Sequence, residues 1–300
     1  MKKLLLASVS VVMLAAPAIA ADLGRRPVYK TPPVAPPPPF TWTGCYVGGF
    51  VGGAFTDGDA TFTDLGNASF GSFSGGVAAA RIHGAHSWSD DLDSSFIGGG
   101  TLGCNWQPVG TPFVLGLEGE VGYIRLNGQA FDPTTIQGTG QTTLDVLGNA
   151  KIGDWYAMAT GRIGYAFDRV LVYVKGGAAF VPTRASVVDT CATPGCGNWF
   201  IATTADKTVT TGTIGGGVEW AFAQNWSIKG EYMFIGLGGD DRTSCATATN
   251  INGGAIGGGP FCFNHDFPGV HTVKLGINWR WEWGKAPVAA WGKAPVAARY

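Results

Sequence analysis

Charge is scarce in this chain. Only 14% of its 300 residues are Asp, Glu, Lys or Arg, and histidine occurs four times. Acid and base nearly balance, at 21 against 20, so a polybasic nucleic-acid binder is excluded. Beyond residue 20 no run is long and apolar enough to cross a bilayer as a helix, which needs about 20 such residues. The chain also lacks a phosphate-cradling glycine loop: its G-x-G matches fall inside alternating segments and carry little information. No histidine lies near Cys191 and Cys196, so zinc spacing is missing. His83 and His86 read as polar loop residues. Ser94 with His265-Asp266 has no spacing that supports a hydrolytic triad. The expectation is therefore no catalytic, cofactor-binding or metal-binding residue.

What is abundant is glycine (48) and aromatic residues (17 Phe, 11 Trp and 8 Tyr), set in strict alternation. In Phe113–Tyr123 one parity carries Phe113, Leu115, Leu117, Gly119, Val121 and Tyr123; the other carries Glu118 and Glu120. Successive side chains of a β-strand point to opposite faces, so one face is apolar and the other acidic. Trp226–Phe234 and Val273–Trp281 repeat the pattern. Strands of about 10 residues with aromatic ends, apolar on one face and polar on the other, point to a transmembrane β-barrel.

Eight strands are predicted: Gly44–Phe55, Ser95–Trp106, Phe113–Ile124, Asp154–Phe167, Val170–Phe180, Lys207–Ala221, Trp226–Ile235 and Gly269–Trp281. The connections alternate in length. Residues 60–94, 125–153, 181–206 and 236–268 are long, whereas 107–112, 168–169 and 222–225 are short. Bacterial outer-membrane barrels have short periplasmic turns and long extracellular loops. The fold expected is thus all-β: an eight-stranded, antiparallel, up-and-down transmembrane barrel. Two aromatic belts follow, with Trp42, Trp106, Phe113, Phe167, Phe222, Trp226 and Trp281 near the periplasmic ends. Phe55, Phe96, Tyr123, Trp155, Phe180 and Phe234 fall near the outer ends.

Residues 1–20 read as a signal peptide: Lys2-Lys3, an apolar stretch over Leu4–Leu14, and an Ala18-Ile19-Ala20 cleavage site. Residues 21–40 form a proline-rich periplasmic linker, extended and unable to pair in a sheet. The barrel occupies 41–281. Residues 282–300 form a periplasmic tail holding WGKAPVAA twice in tandem.

Several stretches resemble one another's counterparts in a known group. They are Phe40-Thr41-Trp42-Thr43-Gly44, Tyr46-Val47-Gly48-Gly49, Phe96-Ile97-Gly98-Gly99-Gly100, Gly161-Arg162-Ile163-Gly164-Tyr165-Ala166, Gly215-Gly216-Gly217-Val218-Glu219 and Lys229-Gly230-Glu231-Tyr232. Together they resemble the small outer-membrane β-barrel proteins of alphaproteobacteria, a porin-like group near the OmpA-like and opacity-protein families. Lys274, Gly276, Trp279 and Trp281 are similar to the assembly signal that barrel-assembly machinery reads, although nineteen residues follow it. The resemblance implies outer-membrane lipid and lipopolysaccharide as surroundings. It also implies a peptidoglycan link through Ala21, since some relatives are tethered by an Ala-Asp terminus.

Parity sends Glu118, Glu120, Glu219, Glu231, Arg162, Lys175, Lys229, Lys274 and Arg280 inward. An eight-stranded barrel is just wide enough for side chains to fill it, and unpaired buried charge is costly. Ion pairing into a polar plug is expected; a narrow charged pore is the alternative. Six cysteines in an exported chain imply disulfides. Cys45 and Cys104 lie on neighbouring strands with lipid-facing parity, Cys191 and Cys196 share the third long connection, and Cys245 and Cys262 share the fourth. The function expected is a structural surface protein of the bacterial outer membrane that supports envelope integrity. A small diffusion porin and a lipid-modifying barrel enzyme are the competing readings.

Overall fold

The computed structural model describes residues 40–65, 86–132, 146–191, 199–239, 242–250, 252–254 and 260–281. The expected leader, the proline-rich linker up to residue 39, the tandem-repeat tail, His83 and Cys196 lie outside them.

Eight strands form the wall: β1 (Gly44–Thr56), β4 (Ser95–Trp106), β5 (Phe113–Tyr123), β8 (Tyr156–Phe167), β9 (Val170–Cys191), β10 (Trp199–Trp220), β11 (Trp226–Ile235) and β15 (Val270–Trp281). Each pairs antiparallel with the next, and β15 returns to β1 along Cys45↔Trp281 through Thr56↔Val270. The sheet therefore closes, which leaves the wall no open edge. Alternation dictates the facing. In β5, Leu115, Leu117 and Val121 are exposed on the outside, whereas Glu118 and Glu120 are buried inside. The wall is that of a transmembrane up-and-down barrel.

The boundaries expected from sequence hold to within two residues for six of these strands. β9 and β10 differ. Each runs for 22 residues, and their ladder continues without a break from Val170↔Trp220 to Cys191↔Trp199. Much of the expected connection 181–206 is thus strand. Its alternation was present, with Val181, Thr183, Ala185 and Val187 inward and Arg184 outward. Its threonines and serines read as loop.

The other long connections also contain strands. A hairpin of β6 (Arg125–Phe131) and β7 (Val146–Gly153) joins the protruding part of β9, from Ile152↔Thr183 to Val146↔Asp189. β13 (Thr249–Asn250) pairs with the tip of β10. A second sheet has the order β12-β14-β2-β3, made of Arg242–Ala246, Phe261–Asp266, Ala60–Asp64 and His86–Asp90. The two sheets bury one apolar core. Phe62, Trp88 and Phe263 come from the second sheet, and Leu126, Ile152 and Val187 from the first. Phe62 lies so close over Gly148 that a Cβ there would meet its ring at 3.0 Å. This distal crown caps the long-connection end, and its core continues down to Ile97, Tyr156, Met158 and Met233 in the barrel mouth.

Short turns close the opposite end. Asp168 adopts φ 53° in the two-residue turn between β8 and β9, a region aspartate tolerates better than most residues. Its carbonyl accepts a hydrogen bond from the Trp42 indole nitrogen at 3.1 Å. Trp42 is thereby buried with Val114, Leu171 and Tyr173 beneath the lumen, and not in the periplasmic belt expected for it. The Asp168 carbonyl satisfies the indole N–H, so the buried ring leaves no donor unpaired there. Trp106, Phe113, Phe167, Phe222 and Trp226 are exposed at that end; Phe55, Phe96, Tyr123 and Trp155 are exposed at the other.

Candidate functional site in the charged lumen

Eight of the nine inward charges expected from parity meet in one network across the middle of the barrel. Glu118 is its hub. It accepts from Lys175 Nζ at 2.7 Å, from Lys229 Nζ at 3.0 Å and from the Tyr46 hydroxyl at 2.5 Å, and Arg162 stands 3.8 Å away. Glu120 receives Lys274 Nζ at 2.6 Å and the Tyr156 hydroxyl at 2.7 Å. Glu231 lies 2.7 Å from Lys175 and 2.8 Å from Lys274, and accepts from the Tyr173 hydroxyl at 2.8 Å. Glu219 is held by Ser227 at 2.5 Å, Asn278 at 2.8 Å and Arg162 at 3.2 Å. The side chains of Glu118, Glu231, Lys175, Lys229 and Lys274 are 0–1% exposed.

Arg280 lies apart, at the short-turn end. Its guanidinium covers the Phe40 ring at 4.6 Å and the Trp42 ring at 5.3 Å, and Nη2 donates to the Gln224 carbonyl at 2.9 Å. The other assembly-signal positions are on β15: Lys274 points into the network, Trp279 is outward, and Trp281 pairs with Cys45 across the β1–β15 seam.

Sequence reasoning missed the tyrosines. Tyr46, Tyr156 and Tyr173 share the inward parity of the charges, and each donates to a different glutamate. The signal was glycine across the strand. A Cβ at Gly103 would lie 2.3 Å from the Tyr46 hydroxyl, and one at Gly217 2.8 Å from that of Tyr173. Glycine there makes room for a ring.

The carboxylates of Glu118, Glu120 and Glu231 have oxygens within 4.8 Å of one another, close enough for a cation. Lysine ammonium groups already supply that charge: Lys175 touches all three carboxylates, at 2.7, 3.6 and 2.7 Å. A metal ion entering here would have to displace a hydrogen-bonded lysine. A groove of about 690 Å³ lies elsewhere, on the outer wall over Gly161 and Gly176, flanked by Leu117, Ile163, Val174 and Ile214. It faces the bilayer.

Cys45 and Cys104 are bonded, with Cα atoms 3.9 Å apart at directly opposed ladder positions. Cys245 and Cys262 are bonded between β12 and β14. Peptide mapping without reduction should recover each pair together. Serine at both 45 and 104 should lower unfolding stability by roughly 2–4 kcal/mol, the usual worth of such a bridge; an unchanged denaturation midpoint would show that barrel closure makes it redundant.

The crown holds the remaining histidines of interest. His265 is 1% exposed, its Nε2 2.7 Å from the Ser244 hydroxyl and its ring edge-on to Phe62. Burial, then the charge of Arg242, lowers its pKa to about 4. This pair is sealed in the crown core, and Ser94 lies elsewhere, so neither forms an open Ser-His site. A base whose folded pKa is depressed favours the folded state fully above its unfolded value near 6.5, and that contribution is lost as pH falls toward 4. The loss at pH 4 is on the order of 2–3 kcal/mol for the crown. Asp90 acts oppositely. Burial, then the charges of Asp91, Asp59 and Asp93, raises its pKa to about 6, so its penalty is relieved as pH falls through the same range. The Asp90→Asn variant should therefore loosen in the crown more steeply with acid than the parent, and His265→Gln less steeply. Hydrogen exchange of β14 and β2 peptides, referenced to the barrel wall, measures both; parallel profiles in all three proteins would refute the assignment.

These features define a class: a closed, antiparallel membrane barrel with charged side chains buried inside its wall. The outer membrane protein beta-barrel domain family model matches residues 34–259, and the chain belongs to that family. It is 28% identical, over 93% of its length and 100% of theirs, to the 31 kDa outer-membrane immunogenic proteins of Brucella melitensis biotype 1 and Brucella suis biovar 1. Among solved structures it is similar to the outer membrane protein OprG of Pseudomonas aeruginosa, at 10% identity and TM-score 0.45, covering 81% of this chain and 99% of that one. It is also similar to the attachment invasion locus protein Ail of Yersinia pestis, at 12% identity and TM-score 0.30, covering 80% and 99%. The family and the Brucella relatives support an outer-membrane location.

Proposed function

We propose that this protein is a structural, surface-displaying barrel of the outer membrane whose lumen does not conduct. The observation that carries this reading is the burial of the Glu118–Lys175–Glu231–Lys274 network, whose side chains are 0–1% exposed. A passage for water beside these groups would expose them. Apolar clusters above and below the network, around Met158 and around Trp42, add two further barriers. The described parts of the long connections fold into a crown, which suits a protein that presents a surface. The Brucella relatives are described as immunogenic outer-membrane proteins, in keeping with display. At the outer rim the Tyr232 hydroxyl lies 2.6 Å from His271 Nδ1, and His271 Nε2 lies 3.2 Å from Asp57; this reading takes that group as structural and assigns no reaction. Outer-membrane lipid, lipopolysaccharide and the assembly machinery are its proposed partners; peptidoglycan joins them if Ala21 is the mature terminus.

The test is single-channel recording of the folded protein in planar bilayers. The expected result is a flat baseline at 100 mV. Discrete, reproducible steps that scale with inserted protein would overturn the sealed lumen in favour of a diffusion pore.

A further inference from the structure

Cations on the outer surface are gathered on one side of the barrel. Among the described residues, the surface lysines and arginines of the long-connection end are Arg125, Arg184 and Lys207, which are exposed, and Lys151, which is half-buried. All lie on β6, β7, β9 and β10. The sector formed by β1, β2, β3 and β14 carries Asp57, Asp59, Asp91 and Asp266 instead. The cations follow directly on the aromatic belt. Arg125 lies two residues beyond Tyr123, and Arg184 four beyond Phe180 with the same outward parity. At about 3.3 Å per residue this places them roughly 7 and 13 Å along the strands from the belt, less in height because barrel strands tilt. That puts Arg125 at headgroup depth and Arg184 at its outer margin.

The cations are fixed in place. Asp206 holds Arg184 through Nε at 2.6 Å and Nη2 at 2.8 Å. Asp154 holds Lys151 at 2.5 Å and Arg125 Nε at 3.4 Å. Among the described residues, these contacts leave Nη1 of Arg184 and both terminal nitrogens of Arg125 without a protein partner, on side chains 61% and 49% exposed. Two clefts, of about 370 and 300 Å³, share Lys151 and Arg184 as their common wall. The first is lined by Asn127, Gln129, Asn149 and Ser186, with Asp93 at its margin. In register, Asn127, Lys151, Arg184 and Asp206 form one row, and Gln129, Asn149, Ser186 and Thr204 the row above. A guanidinium and ammonium tier at headgroup depth therefore carries an amide and hydroxyl tier on its solvent side.

We propose that this double tier binds the phosphorylated sugar headgroup of an outer-leaflet glycolipid, phosphate on Arg125, Lys151 and Arg184 and sugar hydroxyls on the row above. Guanidinium groups match phosphate oxygens in charge and fork geometry, and amide and hydroxyl side chains can both donate to and accept from sugar hydroxyls. The carboxylates of Asp154 and Asp206 orient the cations and keep the surface from binding every anion by charge alone. The inference rests on the outer-membrane reading, with the crown outward.

The experiment uses the full-length protein in phosphatidylcholine nanodiscs containing purified lipopolysaccharide, and counts glycolipid retained after affinity capture by mass spectrometry. Parent protein should retain lipopolysaccharide, and should retain at least tenfold less of the same glycolipid with its lipid-proximal phosphates removed. The variant Arg125→Gln/Lys151→Gln/Arg184→Gln should lose retention by a similar factor, whereas Asp57→Asn/Asp59→Asn should not. Soluble glucosamine phosphate tests the other source of the same chemistry; full competition at micromolar concentration would assign the site to free phosphorylated sugar and overturn the glycolipid. Equal retention by parent and triple variant, both shifting normally on unheated gels, would overturn the site while leaving the barrel reading standing. Failure of the parent to insert at all would strike the outer-membrane reading instead.

Discussion

The Glu118→Gln variant should be about 3–5 kcal/mol less stable than the parent, the range for removing one partner from a buried ion pair. Glutamine keeps the shape and can still accept from Tyr46. What it cannot do is balance Lys175 and Lys229, whose Nζ atoms sit 2.7 and 3.0 Å from the carboxylate in a site closed to water. Glu231 still faces Lys175 at 2.7 Å, but it lies 3.9 Å from Lys229. Lys229 is thus the group left most exposed to the loss. The double variant Glu118→Gln/Lys229→Met should recover part of the stability, because it removes the stranded charge together with its partner, and neighbours in one network couple non-additively. Urea unfolding in lipid vesicles, followed by gel mobility without heating, reads both. If the double variant is as unstable as the sum of the singles, the two residues do not act as a pair.

The effect of that substitution also explains how the lumen could be read from sequence and where the reading stopped. Parity alone placed Glu118 and Glu120 inside, because strand alternation is a local rule that needs no knowledge of neighbours. It placed Arg280 inside too, where it lies. It could not show that Arg280 stacks on Phe40 and Trp42, since that depends on the chain before β1 folding back under the barrel. The belt position expected for Trp42 fails for the same reason. The partners of each charge depend on the register of eight strands, and register is a property of the closed sheet.

The long connections mark a second limit. Their strands are short, five residues in β2, β3 and β12, and rich in Thr and Ser, so the periodic signal is weak. The paired cysteines were the better clue. Cys45 and Cys104 matched in parity and distance from the short-turn end, and they oppose each other in the ladder. Cys245 and Cys262 shared one connection, which meant only proximity until the hairpin-like pairing of β12 with β14 was seen. The continuation of β9 and β10 past Phe180 was legible in principle, since Val181, Thr183, Ala185 and Val187 keep the inward parity. Its polar outward face, Arg184 and Ser186, is what a strand shows once it has left the lipid.

That change of face yields the second large effect. Leu117→Arg should prevent stable insertion or cost about 2–4 kcal/mol, the price of arginine facing lipid near mid-depth. Leu117 is 73% exposed on the outer wall, four residues from Phe113 and six from Tyr123, the aromatic ends of β5. No water reaches that depth, and the side chain can snorkel only part of the way to either belt. Asn127→Arg places the same residue on the same radial face, two residues beyond Arg125 in β6, where the outward side chains are already polar. There the cost should fall to within about 1 kcal/mol, as it does near the interface. The comparison isolates depth from chemistry, because the substituent is identical and both positions point away from the lumen. Mobility on unheated gels reports insertion, and urea midpoints in vesicles report the difference. Equal tolerance at 117 and 127 would mean that the apolar band does not lie between Phe113 and Tyr123, and the barrel's place in the bilayer would have to be redrawn.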